Sequence, residues 1–406
     1  MVSPRVDGSD SAPPAPVAAA HRIEHLDILR GFALFGVLLV NMAAFSSSFF
    51  ADMAGRQWSA PLDRAAAFLI SLLAEGKFIS IFSLLFGLGF TIQLERAEAR
   101  GGPFLGLYFR RLLVLLIFGL VHGFLIWMGD VLVTYALLGF FLFWFRHRSP
   151  RTLLVWIIVL LSLLLLLALA SAGLDGSSQE GMLELAEAAD IYRTGTYLEI
   201  LEQRAIEVLT LNAMIVVFGP YVFAMFLIGV LIGQKRILHE VSENHALFRR
   251  LIAWGLPIGL SVSFLNAFTL ELATGVDFAA KMVLGGVALV AVPAQSLAYL
   301  SIVVLLAGNP DWGPRLRPLA AVGRMALTNY LLQSVICTLI FNGYGLGYFG
   351  EVGPALGIVL TVTIFSIQIV VSGWWLRHFR FGPMEWLWRS LTYLRRQPMR
   401  EGKGPE

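Results

Sequence analysis

The chain has 406 residues, 57% of them hydrophobic and only 14% charged, with a mean hydropathy of +0.75; so apolar a composition excludes a water-soluble globular protein and calls for lipid as solvent. A net charge of +3 would point to nucleic acid in a soluble chain, but the basic residues cluster in alternate loops, where they set topology, and no nucleic-acid partner is indicated. The single Cys337 has no partner in the chain, which excludes an intramolecular disulfide and argues against cysteine chemistry.

Residues 1–20 (MVSPRVDGSDSAPPAPVAAA) are rich in Pro, Ala and Ser and lack an apolar stretch, so they read as a disordered cytoplasmic tail and not as a cleaved signal. Residues 21–396 read as one membrane domain, an all-α polytopic bundle of about ten transmembrane helices, and 397–406 as a second cytoplasmic tail. The apolar runs predict spans at 26–48, 65–93, 106–127, 131–145, 152–172, 207–232, 251–273, 282–307, 319–341 and 354–376.

In the first span, LDILRGFALFGVLLVN sets Arg30 and Asn41 eleven residues apart, which is about 20° around a helix and about 16 Å along it. The two share a face. The second span contains Glu75-Gly76-Lys77 and is either a broken helix or a surface segment followed by a shorter span. The third carries Arg110 and Arg111 near its start and His122 near its end, so Arg111 and His122 repeat the spacing of Arg30 and Asn41. Two arginines then fall at the inner level and Asn41 and His122 at the outer one, unless the arginines merely snorkel to the interface. The third helix turns at Gly129-Asp130 and re-enters at once, which keeps Asp130 at the level of His122 and allows a His–carboxylate pair. Lone intramembrane histidines are often structural, but imidazole exchanges protons near neutral pH, which makes His122 the sharpest candidate.

The loop at about 173–206 is acidic and mildly amphipathic (MLELAEAADIYRTGTYLEILEQR) and reads as external, with a helix lying on the outer surface. In the ninth span Asn329 and Gln333, and Tyr330 and Ser334, are i,i+4 pairs that form a polar stripe, serving either interhelical hydrogen bonding or a substrate path. The segment RHFRFGPMEWLWRSLTYLRR reads as an aromatic and basic anchor at the inner interface, with Glu385 taken as a surface residue or a partner of Arg324 or Arg389. The loops assigned to the cytoplasm hold 23 Lys and Arg and the opposite side five, namely Arg56, Arg64, Arg193, Arg204 and Lys281. Both termini are therefore expected inside.

LDILRGFALFGVLLVN, EGKFISIFSLLFGLGF, HGFLIWMGDVLVTYALLGF, GRMALTNYLLQS and FGPMEWLWRSLTY together resemble the YeiB-like (DUF418) family of bacterial inner-membrane proteins of unknown function. The match is spread over almost the whole chain, and it implies a multi-pass protein of the bacterial inner membrane. The first span also resembles the start of two membrane acyltransferase groups, the bacterial glycan O-acyltransferases and the lysosomal heparan-glucosaminide acetyltransferases, which both begin Asp-x-x-Arg-Gly. Fourteen residues after that Asp the glycan enzymes carry a histidine, whereas this chain has Asn41, as the heparan type does. The heparan type places its histidine eleven residues further on, where this chain has Asp52. Neither group's histidine is present at its motif position, and His122 becomes the substitute.

The resemblance implies an acyltransferase that takes an acyl group from a cytoplasmic acyl-CoA donor and delivers it to an outer hydroxyl or amine on a lipid or glycan acceptor. Arg30, Arg110, Arg111 and Arg324 would hold the donor's phosphates. His122 would be the general base, oriented by Asp130 or Glu75, and Asn41 would donate to the developing oxyanion. No metal is called for. The rival is a transporter or flippase of a lipid-linked or amphipathic molecule, with Glu75, Lys77 and His122 coupled to protons and Asn329, Tyr330 and Gln333 on the path; a third reading is a scaffold whose interior polar groups satisfy one another. Membrane lipids are partners in every case, and the oligomeric state is open, a homodimer included.

Overall fold

The computed structural model describes residues 24–47, 58–99, 104–171, 188–213, 215–273 and 276–400, and all regular structure among them is helical. The tail 1–20, Asp52 and residues 173–187 of the predicted 173–206 loop lie outside the described residues, as does the end of the C-terminal tail.

Helix α1 (Glu24–Ser46) opens with Glu24 and Asp27 in its first turn, where carboxylates suit the positive end of the helix dipole. Helix α2 (Pro61–Leu73) starts on a proline, which is preset for the first helical position. Helix α3 (Lys77–Ala99) follows after the turn Ala74–Gly76. Gly76 adopts φ +75°, a left-handed conformation that a side chain would strain, so the second span is broken at the predicted place.

Helix α4 (Phe104–Val121) widens into a π turn over His122–Ile126, closed by Trp127 N donating to His122 O at 2.8 Å. Helix α5 (Leu132–Leu142) returns at once and α6 (Pro150–Ser171) follows. A short helix over 188–194 and α7 (Tyr197–Ala213) precede α8 (Ile215–Gln234). The sixth span, predicted at 207–232, is therefore shifted. The apolar helix at this place is α8, from Ile215 to Gln234, and residues 207–213 belong to α7, whose buried Arg204 and Glu207 face protein. Helices α9 (His245–Ala267), α10 (Phe278–Ala307), α11 (Gly313–Arg324), α12 (Ala326–Phe341), α13 (Pro354–His378) and α14 (Pro383–Tyr393) complete the chain.

Seven helices among the described residues are long and apolar enough to cross a membrane, and α11 with α12, bent by 77°, makes an eighth if it is one span. The apolar stretch Leu132–Phe145 is shorter, and α8 is apolar from Ile215 onward. The protein is thus an α-helical membrane protein. Helix α6 shows what lipid contact asks of a sequence, since Leu154, Val155, Trp156, Ile158 and Leu166 are all exposed on an element with almost no polar groups. Helix α1 is the opposite, with Leu29, Ala33 and Leu34 fully buried. It is seated against α11 by backbone contact: a Cβ on Gly31 would come within 2.1 Å of Leu319 O, and one on Gly323 within 1.9 Å of Asp27 O. Small residues take this place because helices in lipid associate by close packing and not by a hydrophobic drive.

Candidate functional site

The π turn brings His122 to the centre of a buried chain of three side chains. His122 Nδ1 lies 2.7 Å from Asp130 Oδ2 and Nε2 lies 2.8 Å from Ser334 Oγ. His122 is 0% and Ser334 1% exposed, and the Asp130 side chain is 4% exposed. A carboxylate only accepts, so Nδ1 carries the proton, and in the neutral imidazole Nε2 accepts from the Ser334 hydroxyl. Asp130 is itself held, because its Oδ1 accepts from Val133 N at 2.8 Å at the start of α5. The order nucleophile, base, orienter is the arrangement that activates a serine, and it is recognised by geometry and not by sequence order.

Trp127 forms the wall beside it. Its ring lies 4.0 Å from that of Phe45 on α1 and 6.2 Å from His122. It also folds over Gly129, where a Cβ would collide with the indole at 2.3 Å. The indole Nε1 is buried with no hydrogen-bond acceptor among the described residues, a costly state for a donor. Asn41 is half-buried one turn before Phe45 on the same face of α1. A cavity of about 50 Å³ adjoins Asp130, lined by Gly119, Gly123, Met128 and Val208 among others.

Helix α7 straps the π turn from outside. Arg204, 1% exposed, donates from Nη1 to Leu125 O at 2.8 Å, and Tyr197 donates to the same oxygen at 2.9 Å. Glu207 accepts from Tyr192 at 2.8 Å and from Gln203 at 3.1 Å. Positive-inside counting treats Arg204 as one more outer charge, and no signal in the sequence marks it as buried.

Glu75 is not brought to His122; it is exposed in the turn after α2 and accepts from Ser71 Oγ of that helix at 2.8 Å. Lys77 is 2% exposed and its Nζ donates to Ser71 O at 2.8 Å, which ties the broken turn together. The stripe on α12 divides. Asn329 donates to Ser372 at 2.9 Å, Gln333 donates to Gln368 at 2.8 Å, and Gln368 donates to Asn329 O at 2.9 Å, so this half joins α12 to α13. Tyr330 and Ser334 face His122, with the Tyr330 ring 5.1 Å from the imidazole.

At the opposite end of α1 and α4, Arg30 donates to Asp27 at 2.9 Å and Arg110 to Thr392 O at 3.1 Å. Arg111 lies over the Trp388 ring at 4.0 Å, within electrostatic range of Arg389 and Arg30. Arg324 has a buried Nε with no acceptor among the described residues. Glu385 is not a surface residue. It is 8% exposed and caps α12, accepting from Leu327 N at 2.7 Å, Thr328 N at 3.0 Å and Thr328 Oγ1 at 2.5 Å. The bend after Arg324 leaves the first amides of α12 open, and the carboxylate answers them. Burial pushes its pKa above the usual carboxylate range, although these donors pull the other way.

Residues 232–395 match the family described as Protein of unknown function (DUF418). The chain is 39% identical over 406 residues to the uncharacterized protein YxaH of Bacillus subtilis (strain 168), covering 95% of this chain and 97% of the relative. It is 31% identical over 385 residues to the uncharacterized protein YeiB of Escherichia coli (strain K12), covering 90% and 95%. To an uncharacterized 39.9 kDa protein of Bacillus acidopullulyticus it is 29% identical over 399 residues, covering 95% and 97%.

Proposed function

The chain belongs to the DUF418 family, a membrane-protein family without an assigned activity, and from its own residues we propose that it is an acyltransferase of the bacterial inner membrane, with both termini in the cytoplasm and ten spans. The observation that carries this reading is the Asp130–His122–Ser334 chain, with 2.7 and 2.8 Å contacts.

In this reading Ser334 Oγ attacks the carbonyl of an acyl-CoA thioester while its proton passes to His122 Nε2. Trp127 Nε1–H and Asn41 donate to the developing oxyanion, Trp127 because its N–H has no ground-state acceptor. The carbon–sulfur bond breaks, and the thiolate takes the proton back from His122, leaving an ester on Ser334. An acceptor hydroxyl or amine, on a lipid or glycan, then attacks this ester with His122 again as base, and Ser334 is regenerated. Asp130 keeps Nδ1 protonated throughout. Arg30, Arg111 and Arg324 hold the donor's phosphates at the inner end, about 16 Å below Asn41 by helical rise, within reach of an extended pantetheine arm. Arg110 is turned to Thr392 O and contributes charge only.

The test is incubation of purified full-length protein with radiolabelled acetyl-CoA and no acceptor. Wild type is expected to retain acid-stable label on a peptide containing Ser334, and Ser334→Ala and His122→Ala to retain none. Absence of acyl-CoA binding by the intact protein overturns the proposal.

The transporter or flippase reading draws on Lys77, a buried ammonium at a helix break. It predicts proton-coupled flux in vesicles that is lost in Lys77→Met, with no label on Ser334.

A further inference from the structure

Away from His122, a cleft of about 740 Å³ opens on the lipid-facing side between α5, α6 and α8. Its walls are apolar, with Leu138 and Phe141 of α5, Trp156 and Leu160 of α6, and Gly219 and Phe223 of α8. Its polar members, Arg148 and Thr152, stand together where α6 begins. The step from Thr152 to Leu160 corresponds to roughly 12 Å of helical rise, close to the roughly 15 Å depth of one leaflet's hydrocarbon. The cleft thus has the length of one leaflet and the charge of its headgroup level.

Arg148 is poised for a ligand in a way that its neighbours are not. Its Nε donates to Trp144 O at 3.3 Å, and its two terminal nitrogens make no hydrogen bond to protein among the described residues. Arg146 instead folds onto the Phe143 ring at 3.9 Å and donates to Phe143 O, and His147 lies 3.7 Å from Glu98. Trp144 and Trp156 flank the mouth, a placement typical of the headgroup boundary. Gly219 lines the cleft; a Cβ there would already touch Ile215 at 3.6 Å and Leu138 at 3.8 Å, so a long side chain at this position would take up cleft space.

We infer that the cleft holds one acyl chain of an anionic glycerophospholipid, drawn from the leaflet that bathes the basic loop 146–151, with the phosphate on the Arg148 guanidinium and the Thr152 hydroxyl. A guanidinium pairs with phosphate in bidentate fashion, and an anionic headgroup brings net negative charge to a mouth that lies at the positive end of α6, where Pro150 and Arg151 open the helix. A choline headgroup offsets its own phosphate and gains less. The inference does not depend on acyl transfer at Ser334.

Native mass spectrometry of the full-length protein in mild detergent tests it, with phosphatidylglycerol and phosphatidylcholine of identical chains as probes. Wild type is expected to take up one phosphatidylglycerol at about fivefold lower concentration than phosphatidylcholine. Arg148→Gln abolishes that preference, and Gly219→Leu lowers uptake of both lipids. Equal uptake of the two lipids by wild type, or unchanged uptake in Gly219→Leu, reports annular lipid only and overturns the inference. Phosphatidylglycerol with a diazirine at its chain end covers the case in which Gly219→Leu does not fold. Adducts on Leu138, Leu160 or Ile215 of wild type, which line the end of the cleft away from Arg148, support the site, and adducts spread equally to the exposed Trp254 and Leu356 sink it.

Discussion

Arg204 donates through Nη1 to the carbonyl oxygen of Leu125 at 2.8 Å, inside the π turn that carries His122. In a π turn the i→i+5 bond replaces the usual ladder and leaves carbonyls to be satisfied from elsewhere. A fully buried cation thereby fixes the local geometry of the candidate base from an element 79 residues away.

Replacing Arg204 with Met removes the charged donor to Leu125 O and leaves Glu207 buried with only Tyr192 and Gln203. A hydrogen bond to a charged group contributes about 2 kcal/mol, so the variant is expected to lose about that much stability, read as a lower midpoint in detergent-phase thermal unfolding. An unchanged midpoint would show that α7 does not brace the π turn.

Asp130→Asn separates folding from chemistry. The amide oxygen still accepts from Val133 N, but the amide nitrogen now faces His122 Nδ1 and forces the proton onto Nε2, where it cannot serve Ser334. Acyl transfer is expected to fall by about 10³–10⁴-fold, with the unfolding midpoint nearly that of wild type. Retained activity would remove His122 from the role of base.

Trp127→Phe deletes the indole N–H, which has no ground-state acceptor among the described residues. Stability is expected to hold or rise, while the rate of label transfer drops about 10²-fold. If both are unchanged, Trp127 is only a packing residue against Phe45.

Arg324→Gln and Arg30→Gln are expected to differ. The first removes a guanidinium whose Nε has no acceptor among the described residues, so acyl-CoA binding weakens about tenfold at little cost in stability. The second also strips the Asp27 carboxylate of its 2.9 Å partner; it costs about 1 kcal/mol besides, a modest figure because Arg30 is partly exposed. Isothermal titration and thermal unfolding of both variants distinguish the two effects.

Glu385 links stability to pH. Burial raises its pKa in the folded protein, so the folded state binds a proton more readily than the unfolded chain. The contribution of this group is fullest below the ordinary carboxylate pKa of about 4.3 and is lost as pH rises through the raised value. The midpoint of wild type relative to Glu385→Gln should therefore fall as the solution is taken from acid to neutral pH. A flat or rising difference contradicts the direction of the shift.

Composition and the spacing of apolar runs make this a helical membrane protein and locate its apolar stretches, because a bilayer demands about 20 apolar residues per span. The sequence also marked the break at Glu75–Lys77 and brought Asp130 to His122, since eight residues and a tight turn leave little freedom. What lay beyond it was which polar groups meet across the bundle. Ser334 reaches His122 over 212 positions and Glu385 reaches Thr328 over 57, and no hydrophobic pattern orients helices whose every face is apolar. The start of the sixth span lay beyond the sequence for a related reason, because Glu207 belongs to α7 and is buried against protein. Tertiary structure alone decided these pairings, since a buried donor in a membrane must find its acceptor wherever packing brings one.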